Sequence, residues 1–455
     1  MPVDSPTIRT MVTSRKTLAA SLRWLGPVVV CVVVPALLVI STIDRHPKFS
    51  PIDEGAHFDY VERIYDKGIP TFGDRLLRSS LREMACRGTR LEGLVVPPCD
   101  AKVMKYDLFL GGAYQYEAQQ PPLYYALTAP IARIIKGVTG IGALGAARLV
   151  GVLWLTLGLL VLWRASRLLA VPQLPMLATI LAIAAAPNVV YYSSIVSNDS
   201  AGILCGALAA YVAALTLTRH RPYTWPAIAL GVAAALTKTS CALPVGVVGL
   251  VVAAASLSRH PGISSDRRGS LRRTGLGLIS GSVVGTLAWV VYYRSVATIE
   301  PKTLPTFDVL RTGPVNLGNI FSQARSFLSV LTDSYNPFAV WNGEVYGVVG
   351  MFAMLAIVAG LAAGAFTPER TWWSIAGPIV LSCLYVGGVV IGIGIWRAYD
   401  INPGVSGRYA LPMLPLIALV VPAALQRRTG RIIYSTGATV FAVLSLWMIS
   451  HVSLA

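Results

Sequence analysis

Long continuous apolar runs, broken by short polar stretches, recur along the chain almost to its C-terminus. Such runs bury or dissolve every side of an element, and at about 20 residues they match the thickness of a bilayer. Backbone groups in hydrocarbon must pair within the protein, which leaves helices or a closed barrel. The runs lack the apolar–polar alternation of barrel strands, so they predict helices. Eleven spans are expected, over 24–43, 143–163, 173–192, 200–218, 223–238, 241–257, 275–294, 345–366, 372–395, 408–425 and 432–453. The pair 223–238 and 241–257 is short and reads as a tight hairpin with "TKTS" at its tip. The first run, Trp24 to Ile43, is too long for a signal peptide and lacks a small-residue cleavage site, so it reads as a retained anchor.

Short basic loops set the sides. Clusters at Arg164/Arg167, Arg219/Arg221, Arg259 to Arg273, Arg370 and Arg427/Arg428/Arg431 all face the cytoplasm, with the N-terminus, if the apolar segment 122–136 does not cross. That segment is then expected to lie flat in the outer interface, with Tyr124 and Tyr125 at headgroup level. The chain divides into a cytoplasmic tail (1–23), a first span (24–43), an extracytoplasmic loop with juxtamembrane helices (44–142), a membrane core (143–294), a second outer loop (295–344) and C-terminal spans (345–455). The resulting expectation is an all-α polytopic membrane protein of about 11 helices with an extracytoplasmic juxtamembrane subdomain, in the plasma membrane.

Composition agrees. Of 455 residues, 55% are hydrophobic and only 13% charged, about half the charge of a soluble domain. The net charge of +17 reflects cytoplasmic loops rather than nucleic-acid binding, because there is no soluble basic domain to carry it. Cys31, Cys205, Cys241 and Cys383 lie in or beside apolar runs as core fillers. Cys86 and Cys99 share the first outer loop, where an oxidising compartment permits a disulfide.

Every acidic residue except Asp4, Asp266 and Glu369 falls on the outer side in this topology, together with all the unusual polar motifs. "SPIDEGAHFDY" carries Asp53, Glu54 and His57. Ser50 can cap a helix with Asp53 as its reciprocal partner, yet that leaves Glu54 and His57 unexplained. On a helix, spacings of three and four put Asp53, Glu54 and His57 on one face. A partly desolvated carboxylate makes a working base, and a second one orients it or holds a cation. "YEAQQPPLYY" presents Glu117 and Gln120 from a proline-constrained loop. In "SNDS", Asn198 and Asp199 either cap the next helix or face Asp53 across a cavity. With Glu117, Asp199 would offer hard oxygen ligands to a divalent metal cation, and His57 would widen the choice to a transition metal. Lys238, Arg397, and Arg408 with Tyr409 in "SGRYALP" supply boundary cations. They either snorkel to headgroups or hold the phosphate of an anionic lipid.

In order along the chain, "IDEGAHF", "QQPPLYY", "SND", "LTK" and "GRYALPMLP" resemble a glycosyltransferase of the C-type superfold (GT-C), a group that includes protein O-mannosyltransferases and lipid A aminoarabinose transferases. A poorly characterised bacterial family of predicted membrane proteins is similar over about 50–420. The resemblance implies transfer of a sugar from a lipid-linked, polyprenyl-phosphate donor to an acceptor hydroxyl of a cell-wall glycan, glycolipid or protein at the outer face, with inversion. It implies Asp53 as general base, Glu117 and Asp199 as holders of a metal or the acceptor, and Lys238 and Arg408 as holders of the lipid phosphate. The chain departs from the lipid A enzymes in having Ala118, Gln119 and Gln120 where they place a Lys before the prolines. With no large soluble C-terminal domain, acceptor recognition falls to the loops, where Tyr335, Phe338, Trp341 and Tyr346 either stack on sugars or anchor the interface. A transporter or lipid flippase, and a non-catalytic scaffold, are the rival classes. The charges gather at one rim rather than the midplane, and no repeated halves are visible, which favours the enzyme.

Overall fold

The computed structural model describes residues 25–89, 96–257, 265–303, 318, 321, 325–333, 337–366, 372–400 and 405–451. The expected tail 1–23, Tyr335, Arg370 and most of the second loop lie outside the described residues. The described chain is helical apart from turns and two isolated bridges, Phe49 with Thr89 and Arg75 with Tyr114.

The helices in order are α1 (Leu25–Asp44), α2 (Glu54–Arg63), α3 (Arg78–Arg87), α4 (Leu123–Thr139), α5 (Ala143–Leu168), α6 (Gln173–Ala185), α7 (Pro187–Ser194), α8 (Gly202–Arg219), α9 (Thr224–Thr237), α10 (Thr239–Leu257), α11 (Ser265–Val296), α12 (Pro337–Ala365), α13 (Trp372–Tyr399), α14 (Leu414–Ala424) and α15 (Arg428–Ser450). Among the described residues nine helices are long and apolar enough to cross a membrane, α8 and α14 being extended by the 3-10 turns that lead into them. The protein is a multi-pass, all-α membrane protein by these helices. Each of the eleven expected segments is helical, but two are not single straight spans. The segment over 173–192 is bent by 53° between α6 and α7, where Ala186 turns extended ahead of Pro187. Helix α9 has only 14 residues, about 21 Å against a hydrocarbon core of about 30 Å.

Two apolar cores hold the molecule. The larger lies inside the bundle, among α1 and α5 to α15. Small residues bring helices close there: a methyl group added to Gly231 or Gly281 would strike the backbone of the facing helix across the α9–α11 contact. The smaller core gathers Phe49, Phe58, Tyr60, Phe72, Leu81 and Tyr125 of the 44–142 segment onto Leu144, Ala147 and Val150 of α5. This segment is a packed subdomain on one end of the bundle, and a Cys86–Cys99 disulfide closes part of it.

Helix α4 corrects one expectation. Its outward stripe is apolar, with Leu127, Ile134 and Val138 exposed beside Arg133 and Lys136. Tyr124 and Tyr125, expected at headgroup level, are instead fully buried. Tyr125 stacks on Tyr60 at 3.7 Å between centroids, and Tyr124 meets it edge-on. They lie on the face that closes the subdomain core, where two large rings exclude more water than they would at the surface. Phe338 and Tyr346, weighed as sugar platforms or belt anchors, are also buried.

Candidate functional site

The capping pattern at "SPIDE" resolves differently from the expectation. Helix α2 starts at Glu54, so Asp53 stands just before it with φ 60° and ψ −3°, and its side chain makes no capping bond. Glu54 takes that role by accepting the Ser50 N–H at 2.7 Å. Asp53 is thereby left to point elsewhere, in a left-handed conformation that Asp tolerates better than most residues.

Glu54 does not face the remaining site residues. It is fully buried and pairs with Arg148, whose Nε and Nη2 both reach it at 2.7 Å. It also accepts the Val196 N–H at 2.9 Å. Arg148 in turn donates to the carbonyls of His46 and Lys48. This clamp ties three pieces together: the 46–54 segment, α5, and the turn that carries Asn198 and Asp199. Burial by itself pushes the Glu54 carboxyl up, but Arg148, the Ser50 N–H and His46 outweigh it and hold the pKa below the usual carboxylate range. The sequence reading passed over Arg148. Its signal was available, since it is a lone cation inside an apolar run.

Asp53 meets Arg408, with Oδ2 at 2.7 Å from Nη2. Arg408 rides on the 3-10 turn Gly407–Met413, whose cap, Ser406, accepts the Arg408 N–H at 3.3 Å. Behind that cap, Ser406 donates to the buried Asp333, an acid the sequence reading left unassigned. The Nε of Arg408 lies 3.9 Å from Asp199 Oδ2, and Lys238 is paired with Asp199 Oδ1. Lys238 is the extended residue between α9 and α10 and is 3% exposed, so it does not snorkel. Both cations lie 5.1 Å from the Tyr409 ring centroid, and Arg408 also faces Tyr192.

On the other side of Asp53, His57 and Glu117 converge. Ligand atoms of Asp53, His57 and Glu117 all lie within 4.8 Å of one another. His57 Nδ1 is 2.7 Å from the Tyr125 hydroxyl, while its Nε2 turns to Glu117 Oε2 at 3.9 Å. Gln115 caps the short helix Tyr116–Gln119 by accepting the Glu117 N–H, and its amide donates to Ala56 and Asp59 of α2. Burial, with Asp53 next to it, raises the Glu117 carboxyl to about 8. Burial lowers His57 to about 4, so both are neutral near pH 7. Gln120 accepts from Asn198 at 2.9 Å, joining the two loops.

Thus Asp53, His57, Glu117, Gln120, Asn198, Asp199, Lys238, Arg408 and Tyr409 gather in one cluster of side chains. Glu54 stands behind it in the clamp. Arg397 stays outside: it is exposed and stacks on Trp396. Asp199 is committed to Lys238 and does not join the donor set that could hold a metal. Several buried atoms in and beside the cluster have no hydrogen-bond partner among the described residues: Glu117 Oε2, Asn198 Oδ1, the Tyr192 hydroxyl, and Arg408 Nε and Nη1. Such atoms cost free energy unless something pairs with them. No protein-family model matches the chain, and no curated protein matches it significantly.

Proposed function

We propose that the protein is a membrane glycosyltransferase of the GT-C type. It moves a sugar from a polyprenyl-phosphate donor to an acceptor hydroxyl of a cell-envelope glycan, glycolipid or protein, at the outer face of the plasma membrane. The observation that carries this reading is the convergence of a partly exposed carboxylate, the buried Lys238, the largely covered Arg408 and polar atoms without hydrogen-bond partners beside apolar helices. A lipid-linked anion would lie with its chain along such helices and its phosphate at the cations.

Asp53 accepts the proton of the acceptor hydroxyl as its oxygen attacks the anomeric carbon. The bond from that carbon to the phosphate oxygen breaks, the electron pair leaves with the lipid phosphate, and the anomeric centre inverts. Arg408, whose Nε and Nη1 have no hydrogen-bond partner among the described residues, receives the phosphate, and Lys238 adds charge beside it. Glu54 acts through the clamp, by fixing where Asp53 points.

Membranes carrying the full chain, given radiolabelled polyprenyl-phosphate sugars, are expected to transfer label to an acceptor. Asp53→Asn is expected to lower that rate by about 10²–10⁴-fold at unchanged membrane abundance. Undiminished transfer by this variant removes the assigned base and returns the transporter and scaffold readings.

A further inference from the structure

We infer that Asp53, His57 and Glu117 form a binding site for one divalent transition-metal ion, with Zn²⁺ as the ion it fits best. Two separate pieces of chain supply the donors: the start of α2, with the left-handed Asp53 before it and His57 in its first turn, and the helix Tyr116–Gln119. Their ligand atoms already lie within 4.8 Å of one another, so small side-chain rotations close them around an ion at ordinary bond lengths of about 2.0–2.2 Å.

Two further observations point to a ligand rather than to a chance cluster of acids. Glu117 Oε2 is buried, in a residue 5% exposed, and has no hydrogen-bond partner among the described residues. His57 is already oriented as metal-bound imidazoles are: one ring nitrogen is held by a hydroxyl, that of Tyr125, and the other is turned into the donor set. The aromatic stack of Tyr125 on Tyr60 fixes that orientation.

The donor types choose the ion. One imidazole and two carboxylates favour Zn²⁺ or Mn²⁺ over Mg²⁺ and Ca²⁺, which prefer oxygen alone. Three protein ligands leave a tetrahedral ion one open position, available to a water or a substrate oxygen. The neighbouring charges allow the ion. Asp53 and Asp199 balance Arg408 and Lys238, and an ion that takes Glu117 as a ligand displaces that carboxyl's proton. Arg408 is the competitor for Asp53, so the ion takes one oxygen of that carboxylate and leaves the other, beside Arg408, to accept the acceptor's proton in the proposed transfer.

This set differs from the pair Asp199 and Glu117 weighed from the sequence, because Lys238 occupies Asp199. The inference does not depend on the transferase reading, since metal binding is measured without turnover. The full chain, purified in detergent and stripped with chelator, is titrated with Zn²⁺ and its bound metal counted by mass spectrometry. One ion per chain is expected. His57→Ala and Glu117→Gln are each expected to weaken it at least about tenfold, with apo melting temperatures as controls for folding. Co²⁺ on the unaltered chain gives a second readout, a visible absorption of four-coordinate nitrogen and oxygen ligation. No bound ion and no Co²⁺ spectrum, or equal affinity in folded variants, overturns the site.

Discussion

Glu54 and Asp53 are neighbours, yet one side chain is locked and the other left partly exposed. The division follows from the backbone: with Asp53 left-handed, Glu54 opens the helix and takes both the Ser50 N–H and Arg148. Breaking a buried pair of this kind by removing one partner costs about 3–5 kcal/mol. A carboxyl held below its ordinary value of 4.5 adds stability that is full above that pH and fades as the pH falls through the folded value. Melting temperature should therefore drop in acid. Arg148→Met should melt lower at neutral pH and show less of the acid-dependent loss. The sequence made the acidic pair visible but could not apportion its roles. Capping rules permit either residue, and the deciding partner, Arg148, lies 94 positions away.

At the scale of elements, apolar length made nearly every helix legible. What escaped were features set by contact rather than composition. The proline at 187 was readable, but its 53° bend appears only with the chain in place. Tyr124 and Tyr125 looked like interface anchors because their helix is amphipathic, and which of its faces carries rings into the core depends on α2 and α5. The short hairpin of α9 and α10 was legible, and its tip residue, Lys238, lands against Asp199 because α9 packs tightly along α11 through Gly231 and Gly281. Gly281→Leu should force these helices apart, at a cost of about 1–3 kcal/mol or more. The expected outcome is a lower melting temperature in detergent together with weakened transfer. Leu at the half-buried Gly246, where an added methyl meets nothing within 4 Å, should leave both unchanged.

The molecule as a whole is a helix bundle with a lid-like subdomain welded to one end, and the cluster lies where the two cores meet. The sequence indicated this by placing its acids in one long loop. The expected juxtamembrane subdomain packs as a body, but the sequence could not show which residues make its core, because most of those contacts join segments with no shared periodicity. Asp53 and Arg408 are separated by 355 positions, so the first is made long before the second. The pair can therefore form only after the chain through Arg408 has been threaded into the bilayer. A chain stopped at residue 400 should insert and fold its first helices, yet remain silent in the transfer assay. On the proposed function, such late completion keeps a half-made transferase from acting on its donor before its own assembly is finished.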